Sequence, residues 1–150
     1  MFRPEGIFPA LVTPFTDDGK AVDFERLRFL VNRCIELGVH GVVPCGTTGE
    51  FVNMTVEERK QVIKAVVDEV NGRVPVIAGT GASGTDQALE MTKYAKDVGA
   101  DAALVVTPYY LKPADRGIYE HFDTIASKAD MPIILYNIPQ CTGCLLYTSD

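Results

Sequence analysis

Five unbroken apolar, β-rich runs constrain this chain more than any other feature. They read GIFPALVTP (6–14), GVVPCG (41–46), VPVIAGTG (74–81), AALVVTP (102–108) and PIILYNIP (132–139). Their starts lie 28 to 35 residues apart. A strand that is apolar at every position, rather than at alternate ones, is covered on both faces, which is the mark of a parallel sheet under helices. The intervals between the runs carry helical patterns. Asp23 can cap a first helix with Phe24, Leu27, Leu30, Val31, Cys34 and Ile35 at three-four spacing, closed by Leu37-Gly38. Thr55-x-x-Glu58 spells a capping box, followed by Val56, Val62, Ile63, Val66, Val67 and Val70 and ended by Asn71-Gly72. Third and fourth helices are expected over about 85–97 and 115–128. The order βαβαβαβαβ fits either a doubly wound open sheet or a (β/α)8 barrel.

Composition limits the partners. With 150 residues, 47% hydrophobic, the chain can bury a core as one domain. A net charge of -6 argues against nonspecific nucleic-acid binding, which wants a basic face. No apolar run reaches the length of a membrane span, and Glu5 with two prolines interrupts any secretory signal, so the expectation is a cytoplasmic protein with no membrane partner. Cys141-x-x-Cys144 spells a redox or half-zinc motif, but nothing else in the sequence completes a ligand set, and no metal is expected.

In parallel α/β folds the chemistry sits where strands end. After the second run comes CGTTGEF (45–51), where Gly46 and Gly49 permit a tight turn. Thr47 and Thr48 offer two hydroxyls and two adjacent N–H groups, a nest suited to a carboxylate or phosphate. A plain βα turn fits the same residues about as well. After the third run, GTGASG (79–84) matches the dinucleotide fingerprint on paper, but it lies in the third βα unit, and Thr107-Pro108 stand where a ribose-binding acid belongs. TPYYLKP (107–113) brackets two tyrosines between prolines, which by themselves fit plain loop packing better than an oligomer contact or a ligand lid. LYNIP (135–139) ends the fifth run on a phenol, Tyr136, able to relay protons if a neighbour tunes it and otherwise a core tyrosine with its hydroxyl bonded.

Taken together, FPALVTPF (8–15), CGTTGE (45–50), GRVPVIAGTG (72–81), TPYY (107–110) and LYNIP (135–139) resemble the dihydrodipicolinate synthase and N-acetylneuraminate lyase family, over about residues 2–143. The resemblance implies a TIM barrel, here truncated to its first five strands and four helices. It also implies a class I aldolase or lyase that needs no cofactor. In that family a lysine forms a Schiff base with pyruvate, and the resulting enamine attacks an aldehyde. By motif, Thr47 and Thr48 match the pair that holds the pyruvate carboxylate. Tyr136 matches the proton-shuttling tyrosine, and Tyr110 the tyrosine that reaches a neighbouring subunit's site. Thr47, Tyr136 and Tyr110 would form a relay, in a homodimer or homotetramer.

The unbroken GRVPVIAGTG and TPYY look most like the synthase branch, which joins pyruvate to aspartate semialdehyde. Three positions depart from it. Cys141 stands where that branch places an arginine for the aldehyde's carboxylate, Leu111 where asparagine is common, and Phe51 follows GTTGE as in sugar-acid aldolases. The alternative is a 2-keto-3-deoxy sugar acid aldolase or N-acetylneuraminate lyase. The Schiff-base lysine belongs on a sixth strand, which these residues do not include, so the 150-residue chain is expected to be inactive. Its last residues, CLLYTSD (144–150), resemble the translation of a transposon-end sequencing adapter. Gene-specific sequence is therefore expected over 1–143, and 144–150 as a non-native tail.

Overall fold

The computed structural model describes residues 2–144 and 146. Of the expected non-native tail, only Cys144 and Leu146 are among them, and the remainder lies outside the described residues.

Four long helices form where the sequence patterns put them. Helix α1 (Phe24–Glu36) starts on Asp23, whose carboxylate accepts from Arg26 N at 2.9 Å. Helix α2 (Val56–Val70) opens on the capping box: Thr55 Oγ1 accepts from Glu58 N, and Thr55 N donates to the Glu58 carboxylate at 2.8 Å. It ends on Asn71 in the left-handed region. Helices α3 (Thr85–Asp97) and α4 (Asp115–Ala129) follow. Two short elements were not foreseen, a 3-10 turn over Phe51–Asn53 and a one-turn helix α5 (Pro139–Thr142).

The sheet is more broken than five apolar runs suggest. Among the described residues three regular strands form: β1 (Ile77–Gly79), β2 (Ala102–Val106) and β3 (Ile133–Tyr136), parallel and in that order. The first two runs extend the same surface only through single parallel bridges, Ala10 to Val43 and Val42 to Val76. Proline explains the correction. Pro9, Pro44 and Pro75 each accept a ladder bond through their carbonyl, from Val43 N, Gly79 N and Val42 N, but none has an N–H to return one. Pro108, Pro132 and Pro139 likewise bound the two later strands more tightly than their apolar runs.

The five segments lie side by side in chain order, all parallel, and each long helix packs on the next. A doubly wound sheet would reverse its strand order at a switch point. No reversal occurs among the described residues, and the arrangement is that of one side of a barrel.

The core lies between helices and sheet. Leu27 and Val31 of α1, with Val62, Ile63, Val66 and Val70 of α2, are at most 1% exposed. Each such side chain contributes about 1.5–3 kcal/mol through burial. On α4, Ile118, Phe122 and Ile125 turn inward with His121, while Tyr119 and Ala126 are exposed. The carboxyl ends of all five segments meet at one rim, with Gly79 in register with Leu104, and Val106 with Tyr136.

Candidate active site

The rim is built around the turn that follows the second run. Cys45 and Glu50 both hold positive φ, 57° and 55°, and between them Glu50 N bonds Thr47 O and Gly49 N bonds Gly46 O. Two glycines let neighbouring backbone press on this turn. A Cβ on Gly79 would stand 2.0 Å from Cys45 O, and one on Gly49 would stand 2.9 Å from Leu11 O. Thr13 Oγ1 then donates to Gly49 O at 2.7 Å. The turn is clamped between the first segment and the end of β1.

Clamping brings Thr47 to Tyr136. Their hydroxyl oxygens lie 3.3 Å apart across 89 residues of sequence. Thr48 stands beside Thr47, exposed. Among the described residues neither Thr47 N nor Thr48 N donates to a protein acceptor, so both N–H groups are free for an anion. The expected relay is incomplete within one chain. Tyr110 is 95% exposed, holds φ 73°, and does not join the pair. Its neighbour Tyr109 turns inward and meets Phe51 edge-on, with centroids 5.9 Å apart.

Thr47 faces two spaces. One is a cleft of about 10 Å³ among Gly79, Gly81, Val106 and Tyr136, room for about one water. The other, about 170 Å³, lies among Phe51, Val52, Tyr109, Ile138 and Cys141. No lysine lines either space. Six of the seven lysines are exposed, and the seventh, Lys60, is paired with Glu90 at 2.6 Å.

The fingerprint-like Gly79–Gly84 loop is filled by protein. Thr80 and Ala82 are fully buried, and a Cβ on Gly81 would meet Val106 at 2.6 Å. The carbonyls of Gly79 and Gly81 accept from Arg59 Nη2 at 3.2 and 2.8 Å. This leaves the loop no open phosphate cradle.

The two cysteines of C-x-x-C separate. Cys141 is exposed on the larger space, while Cys144 is buried with its thiol 3.5 Å from Pro108 O. Among the described residues no cluster of three or more His, Cys, Asp or Glu side chains could hold a metal.

Two buried polar residues with ionisable side chains, Arg59 and His121, escaped the sequence reading. Arg59 is 4% exposed on α2, with its guanidinium carbon 5.0 Å from the Phe51 ring centroid. His121 is 1% exposed on α4, with Nδ1 2.9 Å from Thr85 Oγ1. A signal existed for both: Arg59 follows Val56 by three residues and precedes Val62 by three, and His121 follows Ile118 by three, so each lies on its helix's apolar face.

Comparison with known proteins follows from this geometry. The sequence model of the dihydrodipicolinate synthetase family matches residues 3–149. A 4-hydroxy-tetrahydrodipicolinate synthase of Methanopyrus kandleri is 57% identical over 145 residues, covering 97% of this chain and 48% of that protein. The crystal structure of the chloride-inhibited dihydrodipicolinate synthase of Acinetobacter baumannii, complexed with pyruvate, superposes with a TM-score of 0.89 at 51% identity, over 92% of this chain and 47% of that one. A prophage protein of the dihydrodipicolinic acid synthase family from E. coli K12, also complexed with pyruvate, gives 0.89 at 36% identity, over 92% and 46%. The chain spans about half the length of the curated relatives it matches.

Proposed function

The chain belongs to the dihydrodipicolinate synthetase family, and on that premise we propose that its rim is the pyruvate half of a Schiff-base-forming lyase, a cytoplasmic 4-hydroxy-tetrahydrodipicolinate synthase. The observation that carries this reading is the Thr47–Tyr136 hydroxyl pair, 3.3 Å apart at the strands' carboxyl ends. The free N–H groups of Thr47 and Thr48, with the Thr47 hydroxyl, hold the pyruvate carboxylate. A lysine on a further strand of the complete barrel adds its amine to the ketone and expels water, leaving a protonated imine. Loss of a methyl proton then gives the enamine, whose carbon bonds the aldehyde carbon of aspartate semialdehyde. Tyr136, hydrogen-bonded to Thr47, moves protons at the imine and the leaving water. The exposed Tyr110 completes the relay in a neighbouring subunit, so the full-length protein is a homo-oligomer.

Because none of the seven lysines reaches the rim, the 150 residues on their own form no adduct. Borohydride trapping with pyruvate tests both statements by intact mass. The full-length protein gains one reduced adduct on a single lysine, and the 150-residue chain gains none. A full-length protein that cannot be trapped would sink the reading.

One observation favours a second aldehyde. Cys141, not a cation, faces the larger space, and a thiol cannot grip a carboxylate bidentately. A 2-keto-3-deoxy sugar acid aldolase or N-acetylneuraminate lyase keeps the same pyruvate chemistry. Turnover of aspartate semialdehyde compared with cleavage of these acids by the full-length protein decides between them.

A further inference from the structure

Arg59 is a cation without a counter-anion. It is 4% exposed, and no carboxylate pairs with it among the described residues. A guanidinium stays protonated in proteins, so its charge must be met by fixed dipoles. The chain meets it with the carbonyls of Gly79 and Gly81 and the face of Phe51, while Nε has no partner among the described residues. Burial pulls its pKa below the ordinary arginine value. The backbone of the same residue also serves the threonine turn, because the Cys45 thiol lies 3.8 Å from Arg59 O.

Those acceptors border the site. Gly79, Gly81 and Phe51 line the cleft that also holds Thr47 and Tyr136. Carbonyl oxygens at the carboxyl end of a strand carry partial negative charge and repel a carboxylate substrate. Nη2 alone donates to two of them, and the guanidinium lying over Phe51 fixes that ring at the end of the threonine turn.

We propose that Arg59 is a positioning residue for the 2-oxo acid anion. It offsets the Gly79 and Gly81 carbonyls and holds the turn that presents the Thr47 and Thr48 N–H groups. This rests on the pyruvate reading above. It predicts an effect on pyruvate affinity rather than on the chemical step.

The test compares Arg59→Lys, Arg59→Gln and Arg59→Met in the full-length protein, with active sites counted by trapped pyruvate adduct. Arg59→Met and Arg59→Gln raise the pyruvate KM by roughly tenfold or more, the scale of one lost charge-assisted contact. Their kcat per trapped site changes much less. Arg59→Lys keeps the charge but not the planar guanidinium over Phe51, and recovers part of the KM. If Arg59→Met does not fold, the other two decide, since Gln tests the charge and Lys the planar guanidinium. The proposal is overturned if KM stays at the parent value in every folded variant, or if Lys behaves no better than Gln. A parent protein that traps no pyruvate would instead defeat the functional reading, and the two failures are thereby distinct.

Discussion

The seam beneath the threonine turn and the seam between α3 and α4 each bury a polar side chain on an apolar helix face, and they accommodate it differently. Under the turn, Arg59 keeps its charge, so the backbone around it is arranged as acceptor, with two carbonyls on one nitrogen and an aromatic face above. Between α3 and α4, among the described residues, the His121 ring is hydrogen-bonded only to Thr85, and its Nε2 has no partner. Histidine can shed its proton, and burial lowers its pKa from 6.5, so this seam needs no acceptors for a cation. A residue that cannot become neutral forces rigidity on the backbone near it, whereas one that can become neutral leaves the backbone ordinary and makes its seam sensitive to pH.

The sharpest way to break this contrast is a methyl group in each seam. Gly79→Ala puts a Cβ 2.0 Å from Cys45 O and 2.4 Å from its carbonyl carbon, and backbone cannot swing aside as a side chain can. We expect a loss of about 4 kcal/mol or more, at the severe end for single substitutions. Gly84→Ala, at the start of the other seam, meets nothing within 4 Å and should change stability by less than about 1 kcal/mol. Urea midpoints of the two variants measure the difference. Equal losses would mean that the turn is no more tightly clamped than an exposed helix cap.

A smaller effect separates the seams by pH. The folded state holds His121 neutral below its ordinary pKa, so the unfolded chain binds that proton more readily. The stability this provides is complete above about pH 6.5 and is lost as pH falls toward the lowered folded value, with a slope of at most about 1.4 kcal/mol per pH unit. His121→Leu should flatten the urea midpoint across that window. Arg59 contributes no such slope there, because it does not titrate in that range.

The same contrast explains what could be read from the sequence. Helices were readable to within a residue or so because caps and apolar spacing are local: Asp23, the Thr55–Glu58 box and Asn71-Gly72 each do their work within one turn. Strand regularity was not, because Pro9, Pro44 and Pro75 break a ladder whose partners lie 25 or more residues away. At the rim, the Thr47 and Tyr136 motifs were visible, but their meeting depends on the Gly79–Cys45 approach, a tertiary fact. Arg59 and His121 were passed over because a polar residue on an apolar face looks like noise until its acceptors are known. Tyr110 is 95% exposed and does not meet the Thr47–Tyr136 pair within one chain, so no contact in this chain marks it.

The smallest predicted effect asks which proton His121 keeps. Thr85 Oγ1 and Nδ1 are 2.9 Å apart, and either can donate. If the hydroxyl donates, the imidazole carries its proton on Nε2, a buried donor with no acceptor. If Nδ1 donates, the orphan is a lone pair. The lone pair leaves a weaker unmet demand than a buried N–H, since under-satisfied acceptors are tolerated more often than orphaned donors. We therefore expect the Nδ1–H tautomer, which nitrogen chemical shifts of the imidazole read directly. Thr85→Val removes the hydroxyl at nearly constant volume and should cost about 1 kcal/mol above pH 7, the usual net value of one hydrogen bond. It should also move the population toward the other tautomer, because nothing then holds the proton on Nδ1. A Thr85→Val protein with unchanged stability and an unchanged tautomer would show that packing alone, not this bond, sets the histidine in its seam.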